Sequence, residues 1–229
     1  MKDISLIAFD ADDTLWECQT YFEAVEKEYC ELLKPYASAD EISKALFAVE
    51  TANMPLLGYG SKAFLLSLLE NAIEVSEGRL KTDEVKKIIK LGKELLQLPG
   101  KPMDGVEETL KILRERGEYH LVVFTKGELL DQENKFHRSG LKPYFDDIIV
   151  VSDKTEASYY QLCERFSINV EQLLMVGNSF RSDIEPVLKL GGWAAHIPFH
   201  TTWQHEVVEE YEHPHLLKLE YFTQLNQVL

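Results

Sequence analysis

Apolar residues follow two different patterns along the chain. Between residues 17 and 99 they recur at the spacing of amphipathic helices, with Glu and Lys between them. Pro35 and a Pro- and Gly-containing break at residues 54–60 interrupt this pattern, and Ser61 and Thr82 are suited to cap the helices that follow. The segment is therefore predicted to be all-helical. The predicted helices cover residues 17–34, 40–51, 61–75 and 82–98.

Outside this segment, short apolar runs alternate with helical patterns. Residues 4–9 form a near-continuous apolar run, which is typical of a strand buried on both faces of a parallel sheet. The later predicted strands are 119–124, 147–151, 173–176 and 193–197, and the predicted helices are 106–116, 129–139, 155–166 and 184–190. This alternation predicts an α/β fold with a doubly wound parallel sheet. We expect residues 1–16 and 100–229 to form this core and residues 17–99 to be a helical insert.

Polar residues follow the ends of the predicted strands. Asp10 and Asp12 follow the first strand, and Thr125 ends the second. Lys154 follows the third strand, and the segment Gly177–Asp183 (GNSFRSD) follows the fourth. Ligand sites of open parallel sheets lie outside the carboxyl ends of the strands. Each of these residues alone has an ordinary structural explanation, but their occurrence on one edge predicts a shared site.

The residue types at this edge suit phosphoryl chemistry. Asp10 is a candidate nucleophile, and Asp12 is its candidate acid–base partner. Thr125 offers a hydroxyl, and Lys154 offers a compact positive charge for a phosphoryl oxygen. Together they predict a site that positions a phosphoryl group and neutralises its charge.

Two further sets complete the predicted site. The backbone amides of Lys126 and Gly127, at a predicted helix start, would form a cradle for an anion. Asn178 and Asp183 would provide hard oxygen ligands. With Asp10 and the backbone carbonyl of Asp12, they predict a Mg²⁺ site.

Charge and cysteine content narrow the function classes. The formal net charge of −15 argues against a nucleic-acid surface or an anionic-membrane surface, because both need a basic patch. The scattered cysteines, Cys18, Cys30 and Cys163, form no CxxC motif and predict a reducing, cytoplasmic setting. No apolar run approaches the about 20 residues of a membrane span, and the chain enters its first strand without a signal-like region. We therefore expect neither nucleic acid nor membrane as a partner, and we make no prediction of oligomeric state.

Four separated motifs resemble those of the haloacid dehalogenase superfamily, in the same order. DADDT, residues 10–14, resembles the first motif, Thr125 the second, Lys154 the third and residues 177–183 the fourth. The resemblance covers nearly the whole chain. It implies a Rossmann-like core with a helical, C1-type cap and points to the phosphatase branch.

The resemblance also implies a mechanism. Asp10 would attack phosphorus to form an aspartyl-phosphate. Asp12 would protonate the leaving oxygen and then activate the hydrolytic water. Thr125 and Lys154 would hold the phosphoryl group, and a cap over the site would contact a small phosphorylated metabolite.

One position departs from the family pattern. The first polar residue of the fourth motif is usually Asp, whereas this chain has Asn178. An amide oxygen can ligate Mg²⁺ but carries no charge, so weaker metal binding is expected.

Several alternatives stay open. A haloacid dehalogenase would use Asp10 without a metal, but such enzymes lack the carboxylate that Asp12 provides. A phosphomutase keeps all four motifs. A phospho-aspartate signalling module or a degenerate binding protein would be non-enzymatic, although the length of the chain and its nearly complete catalytic set argue against both.

Overall fold

The computed structural model describes residues 3–229, which divide into two compact units. One unit contains the described residues up to Gln19 together with Pro99–Leu229, and the other is Thr20–Leu98. The first unit holds all the strands of the described chain, and the second is helical. The chain therefore leaves the α/β unit soon after its first strand and returns to it at Pro99.

The α/β unit contains a six-stranded sheet with the order β3-β2-β1-β4-β5-β6. Every neighbouring pair is parallel. The predicted α/β fold with a parallel sheet is confirmed, since the strand order reverses beside β1 as in doubly wound folds. The strands are β1 Leu6–Phe9, β2 His120–Lys126, β3 Asp147–Val151, β4 Leu173–Gly177, β5 Trp193–His196 and β6 Leu216–Lys218.

Helices cover both faces of this sheet. Ile7 and Phe9 of β1 belong to one buried cluster, which includes residues of α5, α6 and α9. Leu6 and Ala8 belong to the other, which includes residues of α7 and α8. All four side chains are fully buried, as the apolar run predicted for a strand covered on both faces. The helices are α5 Val106–Arg116, α6 Leu129–Ser139, α7 Glu156–Phe166, α8 Glu185–Lys189 and α9 Leu225–Val228.

The helical unit contains four helices. They are α1 Gln19–Leu33, which begins at the end of the first unit, α2 Ala39–Leu57, α3 Ser61–Val75 and α4 Thr82–Leu95. The predicted break at residues 54–60 is wrong in its first part, because α2 continues through Pro55. Pro55 removes only one amide donor near the end of the helix, and Gly58, with φ 70°, ends it within one further turn.

Other element limits also differ from the predictions. The cap positions of α3 and α4 are Gly60 and Lys81, so Ser61 and Thr82 are the first helical residues. The predicted helix at 184–190 begins earlier, with a π-helical turn at Phe180–Ile184. Strand β6 was not predicted, because three residues are too few to show an alternating pattern.

No helix within residues 3–229 combines the length and the apolar character that crossing a bilayer would require.

Candidate active site

The ends of β1, β2 and β4 bring the predicted residues to one edge of the sheet. Phe9, the last residue of β1, pairs with Val123 of β2 on one side and Val176 of β4 on the other. The Asp10 amide donates to the Val176 carbonyl at 2.9 Å, which continues the ladder by one residue. Asp10 is buried with 7% of its surface exposed. The strand register therefore fixes the position of its carboxylate.

Asp10 and Asp183 share one lysine. Lys154 Nζ lies 2.5 Å from Asp10 Oδ1 and 2.6 Å from Asp183 Oδ1, and its side chain is almost fully buried. Burial lowers the pKa of the Lys154 ammonium, but the two carboxylates outweigh this effect and raise it. Lys154 is therefore a cation that two buried acids hold in place.

The pKa of Asp10 is raised to about 7. Burial is the main cause, and the negative charges of Asp183 and Asp12 add to it, while Lys154 opposes it. One lysine shared between two carboxylates does not offset the burial of Asp10. The negative charge of the carboxylates at this edge is therefore not fully balanced by Lys154.

Asp12 has its own cation. Lys135 Nζ, from α6, lies 2.7 Å from both carboxylate oxygens of Asp12. Gln132 Nε2, also from α6, donates to Oδ2 at 2.8 Å, and Trp16 Nε1 donates to Oδ1 at 2.8 Å. Burial raises the pKa of Asp12, but Lys135 and these hydrogen bonds outweigh it and hold the pKa below its usual range.

Lys135, Gln132 and Trp16 were not predicted. The only signal in the sequence was the spacing of Gln132 and Lys135, which places them on one face of a helix. That spacing is too common to single out a site. The fold brings Gln132 and Lys135 of α6 to Asp12, while Trp16 lies four residues after Asp12 in the same loop.

The segment after β4 depends on close packing. A Cβ at Gly177 would collide with the carboxylate of Asp183, so the glycine makes room for that side chain. Asp183 Oδ2 accepts from the Ser179 amide at 3.0 Å. The backbone of the segment thus helps Lys154 to orient Asp183.

Asn178 lies beside Thr14. Thr14 Oγ1 is 3.2 Å from Asn178 Oδ1 and 2.9 Å from Asp10 Oδ2, and it accepts from the Asn178 amide at 3.1 Å. The Thr14 hydroxyl therefore joins two predicted site residues, Asp10 and Asn178, a role that the sequence analysis did not assign to it. Asp13, by contrast, accepts from the amides of Cys18 and Gln19 and stabilises the start of α1.

The predicted phosphate cradle, formed by the backbone amides of Lys126 and Gly127 at a helix start, differs from the structure. Thr125 was predicted to end the second strand, and it is buried one residue before the end of β2. However, β2 extends through Lys126, and α6 begins at Leu129 with Glu128 as its cap. The amides of Lys126 and Gly127 therefore do not open a helix, and the Gly127 amide donates to the Val151 carbonyl at 3.1 Å.

The Lys126 side chain belongs to a separate network. Its Nζ donates to Ser182 Oγ at 2.9 Å and forms an ion pair with Glu206 from the C-terminal tail. Glu206 also accepts from the hydroxyls of Ser182, at 2.7 Å, and Ser179. This network links β2, the segment after β4 and the tail, and the sequence did not predict the contribution of Glu206.

The edge offers oxygen atoms of the kind that Mg²⁺ binds in proteins. Asp10 Oδ2 and Asn178 Oδ1 both contact Thr14 Oγ1, and Asp183 is joined to Asp10 through Lys154. Among residues 3–229, no group of three His, Cys, Asp or Glu side chains is arranged to hold a metal ion. A site here would therefore combine two carboxylates with the amide oxygen of Asn178 and a backbone carbonyl, a donor set that Mg²⁺ accepts.

The sequence and the fold match known hydrolases. A sequence model for haloacid dehalogenase-like hydrolases matches residues 4–191. A crystal structure of a haloacid dehalogenase-like family hydrolase from Xanthomonas campestris is 34% identical, with a TM-score of 0.89 over 99% of this chain and 90% of that chain.

Two further relatives carry different activities in their names. Haloacetate dehalogenase H-2 from Moraxella sp. (strain B) is 27% identical over 185 residues, which are 78% of this chain and 79% of that protein. A crystal structure described as a predicted phosphoglycolate phosphatase, from Haemophilus somnus 129pt, has a TM-score of 0.64 and 20% identity, and covers 100% of this chain and 99% of that chain. At 20% identity, the second likeness concerns the fold alone.

Proposed function

The chain belongs to the haloacid dehalogenase-like hydrolase family, and on that basis we propose that it is a Mg²⁺-dependent phosphatase. Its substrate would be a small phosphorylated metabolite, cleaved through an aspartyl-phosphate intermediate. The observation that carries the proposal is the pair of carboxylates Asp10 and Asp12, each bonded to a different lysine. Such a pair separates a nucleophile from an acid–base group.

Asp10 is the proposed nucleophile. One of its carboxylate oxygens forms a bond to phosphorus, and the bond from phosphorus to the leaving oxygen breaks. Lys154 contacts Asp10 at 2.5 Å, so its charge lies close to the reacting group. This position would stabilise the negative charge of the phosphoryl group during the transfer.

Asp12 is the proposed acid–base group. In the first step it gives the leaving oxygen a proton that it has first taken from solvent, because Lys135 favours its ionised form at rest. In the second step it accepts a proton from the water that attacks the aspartyl-phosphate, and Asp10 and inorganic phosphate are released. Its ionised form, which Lys135 favours, is the form that the second step requires.

The remaining residues would hold the phosphoryl group and the metal. Thr125 and Lys154 are the proposed phosphate ligands. Asp10, Asp183, Asn178 and the backbone carbonyl of Asp12 would bind Mg²⁺, which would supply positive charge beside the phosphoryl oxygens. Lys126 is a weaker candidate for phosphate binding, because its ammonium already contacts Glu206 and Ser182.

A second candidate function is hydrolytic dehalogenation. It is favoured by the hydrogen bonding of Asp12, because both of its oxygens already accept bonds from Lys135 and from Trp16 or Gln132. A halide leaves without a proton and needs no acid, and one relative is named a haloacetate dehalogenase. The presence of a carboxylate at position 12 argues for phosphate as the group transferred.

One screen separates the two functions. The purified chain is incubated with MgCl₂ and a panel of phosphorylated metabolites, and in parallel with haloacetates, and both phosphate and halide are measured. We expect Mg²⁺-dependent phosphate release, which Asp10→Asn lowers by at least about 1,000-fold, because loss of a nucleophile removes most of the catalysis.

The control is Asp83→Asn, which makes the same change at an exposed position of α4 and should leave the rate unchanged. Phosphate release that persists in Asp10→Asn would contradict the proposal. Halide release without phosphate release would establish the second candidate instead.

A further inference from the structure

Lys135 is a buried lysine that the proposed chemical steps do not use. Only 2% of its surface is exposed, although it lies on α6, a helix whose neighbouring positions at Glu133 and Asn134 are exposed. Its ammonium lies 2.7 Å from each oxygen of Asp12 and 4.0 Å from Cys18 Sγ. Burying an ammonium costs free energy unless a partner compensates it, and the partner here is Asp12.

Gln132 completes the same arrangement from one turn earlier. Its amide donates to Asp12 Oδ2 at 2.8 Å and to the Lys126 carbonyl at 3.0 Å. The first bond fixes the carboxylate, and the second fixes the amide relative to the end of β2. Asp12 is thereby tied to α6 as well as to its own loop, where Trp16 donates the remaining bond.

The arrangement matters because several acids lie at this edge. Lys154 is already shared between Asp10 and Asp183, so it is not available to Asp12. Asp12 follows Asp10 by two residues, and like charges this close repel each other. Without Lys135, the Asp12 side chain would lose the cation that keeps it in place next to Asp10.

We propose that Lys135, assisted by Gln132, is a positioning residue that holds the Asp12 carboxylate in place for proton transfer at the reaction centre. This inference rests on the proposed phosphatase function. Lys135 contacts Asp12 and not the phosphoryl group, so it affects the rate of the chemical step and leaves substrate binding largely unchanged. Small displacements of an acid–base group have large effects on rate, because proton transfer requires hydrogen-bond geometry.

A double-mutant cycle tests the inference. Lys135→Met, Asp12→Asn and the double variant are assayed with 4-nitrophenyl phosphate and MgCl₂, and kcat and KM are measured for each. We expect Lys135→Met to lower kcat about 100-fold, the size of a typical acid–base contribution, and to change KM less than about three-fold. In the Asp12→Asn background, the same substitution should change kcat less than about three-fold, because its effect depends on Asp12.

Two further variants distinguish the positioning of Asp12 from a general loss of structure. Lys142→Met removes a lysine from an exposed position just after α6 and should leave kcat unchanged. Gln132→Met removes one neutral donor to Asp12 without removing a charge, so it remains informative if Lys135→Met does not fold. It should lower kcat about ten-fold, a loss of about one charge-assisted hydrogen bond, again only when Asp12 is present.

The outcomes separate the two proposals. If the unaltered chain releases no phosphate, the proposed function is wrong and this inference is wrong with it. If the chain is active and the effects of Lys135→Met, or of Gln132→Met, persist in full in the Asp12→Asn background, the inference alone is overturned. An equal loss in kcat/KM that arises entirely from a higher KM would also overturn it.

Discussion

The α/β unit and the helical unit both bury acidic side chains, but they stabilise them differently. In the α/β unit, Asp12 is paired with Lys135, and Asp10 and Asp183 share Lys154. In the helical unit, burial and the negative charge of Glu26 raise the pKa of Glu50, on α2, to about 7. Burial also raises the pKa of Asp10 to about 7, but Lys154 opposes that shift, whereas no cation is among the causes of the shift of Glu50. The first unit retains buried ion pairs, which contribute little to stability overall and are characteristic of sites that use charge.

Removal of the shared lysine, Lys154, should have the largest effect on the stability of the buried acids. Lys154→Met would leave Asp10 and Asp183 buried without their cation, which costs about 3–5 kcal/mol of unfolding free energy for a broken buried pair. The measurement is urea unfolding at pH 7, together with phosphate release, which should fall to background. Unfolding at pH 5 should show a smaller loss, because Asp10, whose pKa is raised, is then protonated.

Lys111→Met, at an exposed position of α5, is the matched control for this change. A Lys154→Met protein as stable as this control would contradict the view that the two carboxylates depend on Lys154.

The next largest effect concerns Glu50. Its pKa in the folded protein is about 7, against an ordinary value of 4.5. Because the folded state holds this proton more tightly, the contribution to stability is full below about pH 4.5 and is lost as the pH rises through 7. Glu50→Gln should therefore be more stable than the unaltered chain at pH 8, by on the order of 1–2 kcal/mol after allowance for partial exposure, and equal to it near pH 4.5.

Urea unfolding at both pH values measures this difference. Glu74→Gln, at an exposed position of α3, removes the same charge and serves as the control for the net charge of the chain. If Glu50→Gln and Glu74→Gln had the same pH dependence, burial of Glu50 would not be the cause.

The smallest expected effect comes from adding a carboxylate to the α/β unit, at the edge where Asp10 and Asp183 lie. Asn178→Asp replaces a neutral oxygen beside Thr14 with a charged one. Mg²⁺ affinity depends on the charge of its ligands, so we expect binding on the order of five-fold tighter, measured by calorimetry.

Asn134→Asp, on the exposed face of α6, controls for the added charge. Loss of folding without any change in Mg²⁺ binding would contradict a ligand role for Asn178.

Much of the site was predictable because it follows directly from the strands. Asp10 is the residue after a buried apolar run, and a parallel sheet brings the carboxyl ends of its strands together. For the same reason, Thr125 and Gly177–Asp183 could be assigned to one edge before any contact was known. These predictions needed only the type and order of the elements.

The residues that were missed come from elements whose packing leaves no local signal. Lys135 and Gln132 lie in the middle of a helix, and Glu206 lies in a tail that has no repeating pattern. Thr14 was missed because its contact with Asn178 joins residues 164 positions apart. A contact over more than 100 positions, such as that between Asp12 and Lys135, cannot be inferred from spacing.

The sequence by itself determined the parallel sheet, the helical segment after its first strand and the edge at which Asp10 and Asp12 lie. Periodicity and strand order specify these features, because they depend on which faces of each element are apolar. The tertiary structure alone decided how the charges at that edge are paired. It gave Asp12 its own lysine, made Asp10 share one with Asp183 and directed Lys126 to Glu206. Pairing depends on distances of a few ångströms between side chains from different elements, and packing, not sequence order, sets those distances.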